Sequence, residues 1–130
     1  MSEAVSIELP LKAASASRAR ESLQGFRDRI DPNAYGDLRL LASELVVEAL
    51  AAEDEPEGQS VRLQAEMDGD VVRLEMTQGG ESYRLRSRAP APGEPGWALH
   101  LVGRLAERWG FRRERNRATV WLELRSRAMV

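Results

Sequence analysis

The sequence predicts an α+β fold, a two-layer sandwich in which about three helices cover one face of a mixed, mostly antiparallel sheet. Three observations predict it. Apolar and polar residues alternate in several short segments, apolar residues recur at spacings of three and four in three longer segments, and turn residues separate neighbouring strands. Strands supplied mainly by hairpins, with helices to cover one face, are typical of this class.

The length and composition predict one folded domain. A chain of 130 residues is long enough for one two-layer core, and we interpret residues 1–130 as a single domain with its core at about 5–125. The apolar fraction of 42% and the charged fraction of 31% are typical of soluble globular proteins. Cysteine is absent, which excludes disulfides and thiolate metal sites. The single histidine, His100, argues against a histidine-based zinc site or a serine–histidine triad.

Neither membrane insertion nor secretion is predicted. No apolar run approaches the roughly 20 residues that cross a bilayer. The N-terminal segment "MSEAVSIELP" lacks the basic and apolar blocks of a secretory signal. We therefore expect a cytoplasmic protein that does not associate with membranes.

The first half of the chain predicts a strand and two helices. Val5–Leu11 alternates and contains Pro10, which favours a strand at a sheet edge. An amphipathic helix follows up to Ile30, with Ser15 or Ser17 as its N-cap. A second helix covers roughly Asn33–Ala52, capped by Asp31 with Pro32 in the first helical position.

The second half predicts two hairpins around a third helix. Val61–Met67 and Val71–Thr77 flank Asp68-Gly69-Asp70, a strong hairpin signal. The remaining predicted elements are a third strand or ragged continuation at Tyr83–Arg88, a Pro/Gly-rich loop at 88–96, a helix at Trp97–Trp109, and a hairpin of Phe111–Glu114 with Ala118–Arg125.

Two carboxylates one turn apart distinguish the second helix. On a wheel of 100° per residue, Glu48 lies at 40° from Glu44, and Asp37 lies between them. From the residues alone we interpret this stripe as the solvated face of a half-buried helix. A catalytic pair or a metal site is the alternative.

Charge along the chain is uneven. Residues 1–58 hold 6 basic and 12 acidic side chains, whereas residues 59–130 hold 13 basic and 9 acidic ones. The C-terminal arginines are interrupted by Glu107 and Glu114 and lack interleaved aromatic residues, which argues against nucleic-acid binding. The uneven charge suits a protein partner whose own charge is patterned.

Three segments resemble the anti-sigma-factor serine kinases. "PGWALHLVGRLAERWGF" (95–111) and "ATVWLEL" (118–124) are similar to that family's glycine-rich loop, following helix and last strand, and "LRLLASELVVEALAA" (38–52) is similar to its first box. The resemblance covers about residues 5–125. It implies the GHKL ATPase (Bergerat) fold shared with histidine kinases. It also implies binding of ATP with Mg²⁺, phosphorylation of a serine on an anti-anti-sigma partner, and inhibition of a sigma factor, often by a homodimer.

The first box departs from the family at one of its two main positions. Glu44 matches the family glutamate that is thought to activate the attacking hydroxyl, which implies a catalytic role. Glu48 falls where the family has an asparagine that binds magnesium. A carboxylate is still a hard oxygen donor for a metal, but it adds negative charge beside a triphosphate.

The other boxes depart as well. Gln78, two positions before Gly80, falls where the family has an aspartate that accepts a hydrogen bond from adenine. In the third box, Gly96-Trp97-Ala98-Leu99, Ala98 replaces a glycine that lets backbone N–H groups approach phosphate. The implied cofactor-binding residues are therefore Glu48, Gln78, Gly80, Gly96, Ala98 and Leu99, with Glu48 also the implied metal ligand.

Departures at the magnesium, adenine and phosphate positions together predict a degenerate nucleotide site. We therefore predict an anti-sigma-factor-like regulator that binds a sigma factor or an anti-anti-sigma protein, with weak or absent ATP binding. The alternatives are an active ATP- and magnesium-dependent serine kinase, and a sensory or scaffold domain that shares only the architecture.

Overall fold

The structure, a computed structural model, describes residues 3–52, 58–79, 92, 94, 96–115 and 117–127. The elements in this part of the chain are β1 Ala4–Pro10, α1 Ala14–Ser22, a short 3₁₀ helix Gln24–Phe26, α2 Pro32–Ala52, β2 Ser60–Asp68, β3 Val71–Gly79, α3 Trp97–Leu105, β4 Arg108–Glu114 and β5 Arg117–Arg125. The predicted strand at Tyr83–Arg88 and most of the predicted loop at 88–96 lie outside the described residues.

The five strands form one sheet in the order β1-β2-β3-β5-β4, which confirms the predicted α+β architecture and places β1 at an edge. All four strand pairings are antiparallel, so the predicted mixed sheet is not found among the described strands. The reason is the last hairpin. Both β4 and β3 run antiparallel to β5, which lies between them, so β3 and β4 point the same way without pairing.

The core lies between one face of the sheet and the helices. Alternate residues are buried from Val61 to Ala65 in β2 and from Val72 to Gln78 in β3. Helix α2 contributes Leu38, Leu41 and Leu45, each fully buried. Full burial of a leucine stabilises a fold by about 1.5–3 kcal/mol, so this helix and the central strands supply much of the core energy.

Helix α2 is fixed at its start, as the sequence predicts. Pro32 is its first residue, and Asp31 Oδ1 accepts a hydrogen bond from the Ala34 N–H at 2.9 Å. Asp31 Oδ2 accepts another from the Arg127 N–H at 2.6 Å, just beyond β5. These bonds favour the ionised form, so they hold the pKa of Asp31 below its ordinary value. The start of α2 therefore lies where β5 ends and β3 begins.

The first helix is shorter than predicted, and its predicted N-cap is wrong. Ser15 lies inside the first turn of α1, where its hydroxyl donates to the Pro10 carbonyl, and Ala13 precedes the helix without a side-chain cap. After Ser22 the chain tightens into the 3₁₀ turn. Leu23, Phe26 and Ile30 remain buried because successive tight turns preserve their spacing.

The third helix also ends earlier than predicted. It stops at Leu105, because Ala106 adopts an extended conformation and the Glu107 N–H donates to the Glu123 carbonyl at 2.9 Å. Trp109, predicted at the end of this helix, lies in β4. Hydrogen bonding to β5 therefore determines the conformation of this segment, although its local residue spacing is helical.

Two glycines give opposite predictions for replacement by alanine. A Cβ on Gly110 would lie 2.5 Å from Trp121 Nε1, because the indole crosses this glycine, whereas a Cβ on Gly36 in α2 meets no atom within 4 Å. We expect Gly110→Ala to lower the free energy of unfolding by about 1–3 kcal/mol. We expect Gly36→Ala to raise it by about 0.5–1 kcal/mol, since a helix interior favours alanine. Urea denaturation of the two variants tests this, and equal effects would contradict it.

Candidate functional site

The candidate site lies at the end of the sandwich where α2 finishes. Glu48 is about 24 Å along α2 from Pro32, at 1.5 Å per residue. Gln78 is about 23 Å along β3 from Val71, at 3.3 Å per residue. Since α2 and β3 begin at the same end, both side chains reach the opposite end, which is also where α3 begins.

Glu48 bonds directly to the start of α3. Its Oε1 accepts a hydrogen bond from the Gly96 N–H at 2.6 Å, and Gly96 has the left-handed φ of +92° that glycine adopts readily. The N–H groups of Trp97 and Ala98 also stabilise the carboxylate. A helix N-terminus presents unpaired N–H groups and a partial positive charge, which attract an anion. Here the chain supplies that anion itself.

The other oxygen of Glu48 is enclosed. Oε2 is buried and has no hydrogen-bond partner in the part of the chain that the structure describes. Burial of the charge raises the pKa of Glu48 above its ordinary value, the N–H groups of α3 partly oppose this, and the negative charge of Glu44 adds to it. Glu48 therefore serves as a contact between α2 and α3 that tolerates protonation.

The raised pKa predicts how stability depends on pH. The fold favours the protonated form of Glu48. The stability that Glu48 contributes is therefore fully present below the ordinary pKa of 4.5 and is lost as the pH rises through the raised pKa. We therefore expect the free energy of unfolding of wild type minus that of Glu48→Gln to fall with rising pH. Urea denaturation across this range measures it. Glu21→Gln, at an exposed position of α1, is the control, and parallel pH profiles for wild type and Glu48→Gln would contradict the prediction.

The acidic stripe is therefore only partly the solvated surface that the sequence predicts. Asp37 and Glu44 are half-buried, and neither is ion-paired with any described residue. For Glu48 the prediction is wrong, because its carboxylate faces α3. The helical periodicity of the sequence could not predict this contact, because Gly96 is 48 positions away from Glu48. Among the described residues, no group of three or more histidine, cysteine or acidic side chains is placed to hold a metal ion.

Gln78 is the second unusual side chain at this end. It lies on the core-facing side of β3, is only 2% exposed, and is opposite Val61 and Ala118 in the neighbouring strands. Neither its Oε1 nor its Nε2 has a hydrogen-bond partner among the described residues. A buried amide without partners costs about 1–3 kcal/mol, so this position is not optimised for stability.

The remaining predicted site residues divide between the core and an undescribed segment. Ala98 and Leu99 are in the first turn of α3 with buried side chains that join the hydrophobic core. Their backbone, rather than their side chains, lies at the start of the helix. Gly80 lies outside the described residues.

Two of the C-terminal arginines are paired with acidic side chains on the face of the sheet away from the helices. Arg112 contacts Glu75 at 3.1 Å, and Arg108 contacts Glu123 at 3.6 Å. Arg73, in the middle of this face, bonds to Glu123 and lies 4.4 Å from the ring of Trp121. The charges of this face are thus largely balanced locally.

The fold is consistent with a known ATPase architecture, and sequence comparison decides the family. A sequence model of the histidine kinase-like ATPase domain matches residues 9–124, nearly the whole chain. The chain belongs to the histidine kinase-like ATPase domain family. The resemblance found in the motifs is therefore confirmed at the level of this family. No curated protein sequence matches the chain significantly.

A solved structure has the same fold. The crystal structure of the RsbU and RsbW domains of Rv1364c from Mycobacterium tuberculosis matches with a TM-score of 0.70 and 19% identity. The match covers 95% of this chain and 32% of that one, so this chain spans about a third of the length of that protein.

No helix in the described residues is long and apolar enough to cross a membrane.

Members of the histidine kinase-like ATPase family generally bind ATP with Mg²⁺. The residues of this chain do not fit that group well. The Gly96 N–H, which would face a phosphate, is already bonded to the Glu48 carboxylate. A second anion there would be repelled by Glu48 and would have to displace it. Gln78 supplies a neutral amide where a carboxylate would accept from an amino group.

Proposed function

We propose that this chain is an anti-sigma-factor-like regulatory protein that acts by binding another protein, with weak or absent ATP binding. The partner is a sigma factor or an anti-anti-sigma protein. Family membership and the likeness of the fold to an RsbW domain support the regulatory class. The altered site supports binding without catalysis.

One contact carries the proposal: the hydrogen bond of 2.6 Å from the Gly96 N–H to Glu48. Charge-assisted bonds of this length are strong, and this one is intramolecular. A nucleotide phosphate would have to break it and then lie beside a carboxylate. The internal carboxylate therefore raises the apparent Kd of a triphosphate by a fixed factor, and it joins α3 to α2 without a ligand.

The competing function is an ATP-dependent serine kinase. Glu44 favours it, since its carboxylate is half-buried, close to Glu48, and not ion-paired with a described residue, as a base for a serine hydroxyl would be. Such a base needs a bound and oriented triphosphate in order to act. The two functions therefore differ in whether Mg·ATP matters to the protein.

We expect partner binding that does not depend on nucleotide. Purified protein would be tested by calorimetry against each sigma factor and each anti-anti-sigma protein of the source organism, with and without Mg·ATP. The proposal predicts at least one partner whose Kd changes less than about twofold when Mg·ATP is added, equivalent to about 0.4 kcal/mol.

The same mixtures separate the alternatives. Incubation with radiolabelled ATP followed by mass spectrometry of the partner would detect phosphoserine. Transfer that disappears in Glu44→Gln would replace the binding module with a kinase. Absence of binding to every protein in the panel would favour an architectural likeness alone.

A further inference from the structure

The outward side of α2 carries an apolar surface that the fold does not use. Leu40 is 40% exposed and Val47 is 50% exposed, and they are the exposed large hydrophobic residues of the described chain. They are seven positions apart, so they lie two turns apart on one side of the helix. Gly36, four positions before Leu40, is exposed on the same side. We call Gly36, Leu40 and Val47 the outer stripe of α2.

No described residue packs where a side chain at Gly36 would lie. A Cβ at Gly36 would meet no atom within 4 Å, and Gly36 does not have the positive φ that requires glycine. Glycine in a helix interior is nevertheless less favourable than alanine. Its absence of a side chain permits the backbone of another molecule to approach closely at this position.

The charges on one side of the stripe are both negative. Asp37 and Glu44 flank it on the side toward α3, and neither is ion-paired with a described residue. Arg39, the only basic residue of α2, lies on the other flank, where its guanidinium covers the ring of Tyr35 at 5.4 Å. Among the residues that the structure describes, no basic group pairs with these two carboxylates.

We infer that the outer stripe of α2 docks an amphipathic helix of the partner protein, with leucine-like side chains on Leu40 and Val47 and lysine or arginine opposite Asp37 and Glu44. This inference rests on the proposed function. Two helices pack at 8–10 Å between axes, and a glycine at the contact permits the closer end of that range. The unpaired carboxylates determine the sign of the partner's charge and its orientation along α2.

The test uses two synthetic 18-residue peptides that share one leucine stripe. One has lysines beside the stripe, and the other has glutamates. Titration into ¹⁵N-labelled protein is followed by NMR. We expect the lysine peptide to bind at least about tenfold more tightly than the glutamate peptide and to shift the amide signals of α2 around Gly36, Leu40 and Val47.

Variants make the test specific. Asp37→Lys with Glu44→Lys is expected to reverse the preference between the two peptides, whereas Glu21→Lys with Asp28→Lys, at exposed positions outside α2, is expected to preserve it. Gly36→Ala is expected to weaken binding although it raises the melting temperature. A variant that merely damaged the fold would lower both.

Three results would overturn the inference. These are failure of the lysine peptide to bind, chemical shift changes centred outside α2, and an unchanged preference in the charge-reversed variant. Self-association that is lost in Val47→Lys would also overturn it, because the stripe would then hold a second copy of the chain. None of these results affects the proposed function, which is judged by nucleotide independence and by full-length partners.

Discussion

Wild-type protein titrated with ATP and magnesium is expected to give no saturable heat, whereas Glu48→Asn with Gln78→Asp is expected to bind Mg·ATP at least about tenfold more tightly. The first substitution removes the carboxylate from the Gly96 N–H and supplies an amide oxygen for magnesium. The second supplies a charged acceptor where the buried Gln78 amide has no described partner. Isothermal titration calorimetry measures both proteins.

Folding of the double variant has to be checked separately, because a carboxylate at position 78 is costly without its ligand. We expect its melting temperature to be below that of wild type without nucleotide and to rise as Mg·ATP is added, since a ligand stabilises the state that binds it. Gln64→Asp with Glu66→Asn makes the same chemical changes at exposed positions of β2 and is the control. Wild-type binding as tight as that of the double variant would contradict the internal-anion interpretation.

Gln78→Met is expected to raise the free energy of unfolding by about 1–3 kcal/mol. Methionine has a similar length and volume, and it removes a donor and an acceptor that are buried without described partners. Its neighbours Val61 and Ala118 are apolar, so the thioether meets matching surfaces. Urea denaturation gives the change in the free energy of unfolding.

The matched control is Gln64→Met, at an exposed position in β2. A glutamine side chain exposed to water contributes little to the stability of the fold, so the control should change the free energy of unfolding by less than about 0.5 kcal/mol. Destabilisation by Gln78→Met would show that the amide is satisfied in solution, for example by an ordered water, and would weaken the case that this position is left from a binding site. This measurement does not depend on the titration with ATP.

The central elements were predictable because their signals are local. Alternation along Val71–Thr77, the turn at Gly69, and Asp31 followed by Pro32 each depend on residues close in sequence. Predictions failed where distant pairing competes with a local pattern. Trp109 continues a helical period, but the hydrogen bonds of β4 with β5 place it in a strand.

The candidate site divides in the same way. Motif comparison identified four positions of a family ATP site. Glu44 and Gly96 match the family pattern, whereas Glu48 and Gln78 differ from it. The helical wheel, by contrast, led us to interpret Glu48 as part of a solvated stripe. Only the packing of α2 against α3 shows that this carboxylate turns to the Gly96 N–H. Hydrogen bonds between residues 48 positions apart leave no periodic signal in a sequence.

By itself the sequence determined the class of fold, the order of its principal elements, and the departure of three nucleotide positions from the family pattern, because these depend on residue chemistry and on spacings of a few residues. The tertiary structure decided where those residues lie and what they contact. It placed a carboxylate on the first amide groups of α3, buried Gln78 between apolar strands, and exposed one stripe of α2. Each of these features depends on which surfaces come into contact when the helices pack on the sheet. Burial and electrostatic interactions between distant residues arise only from that packing.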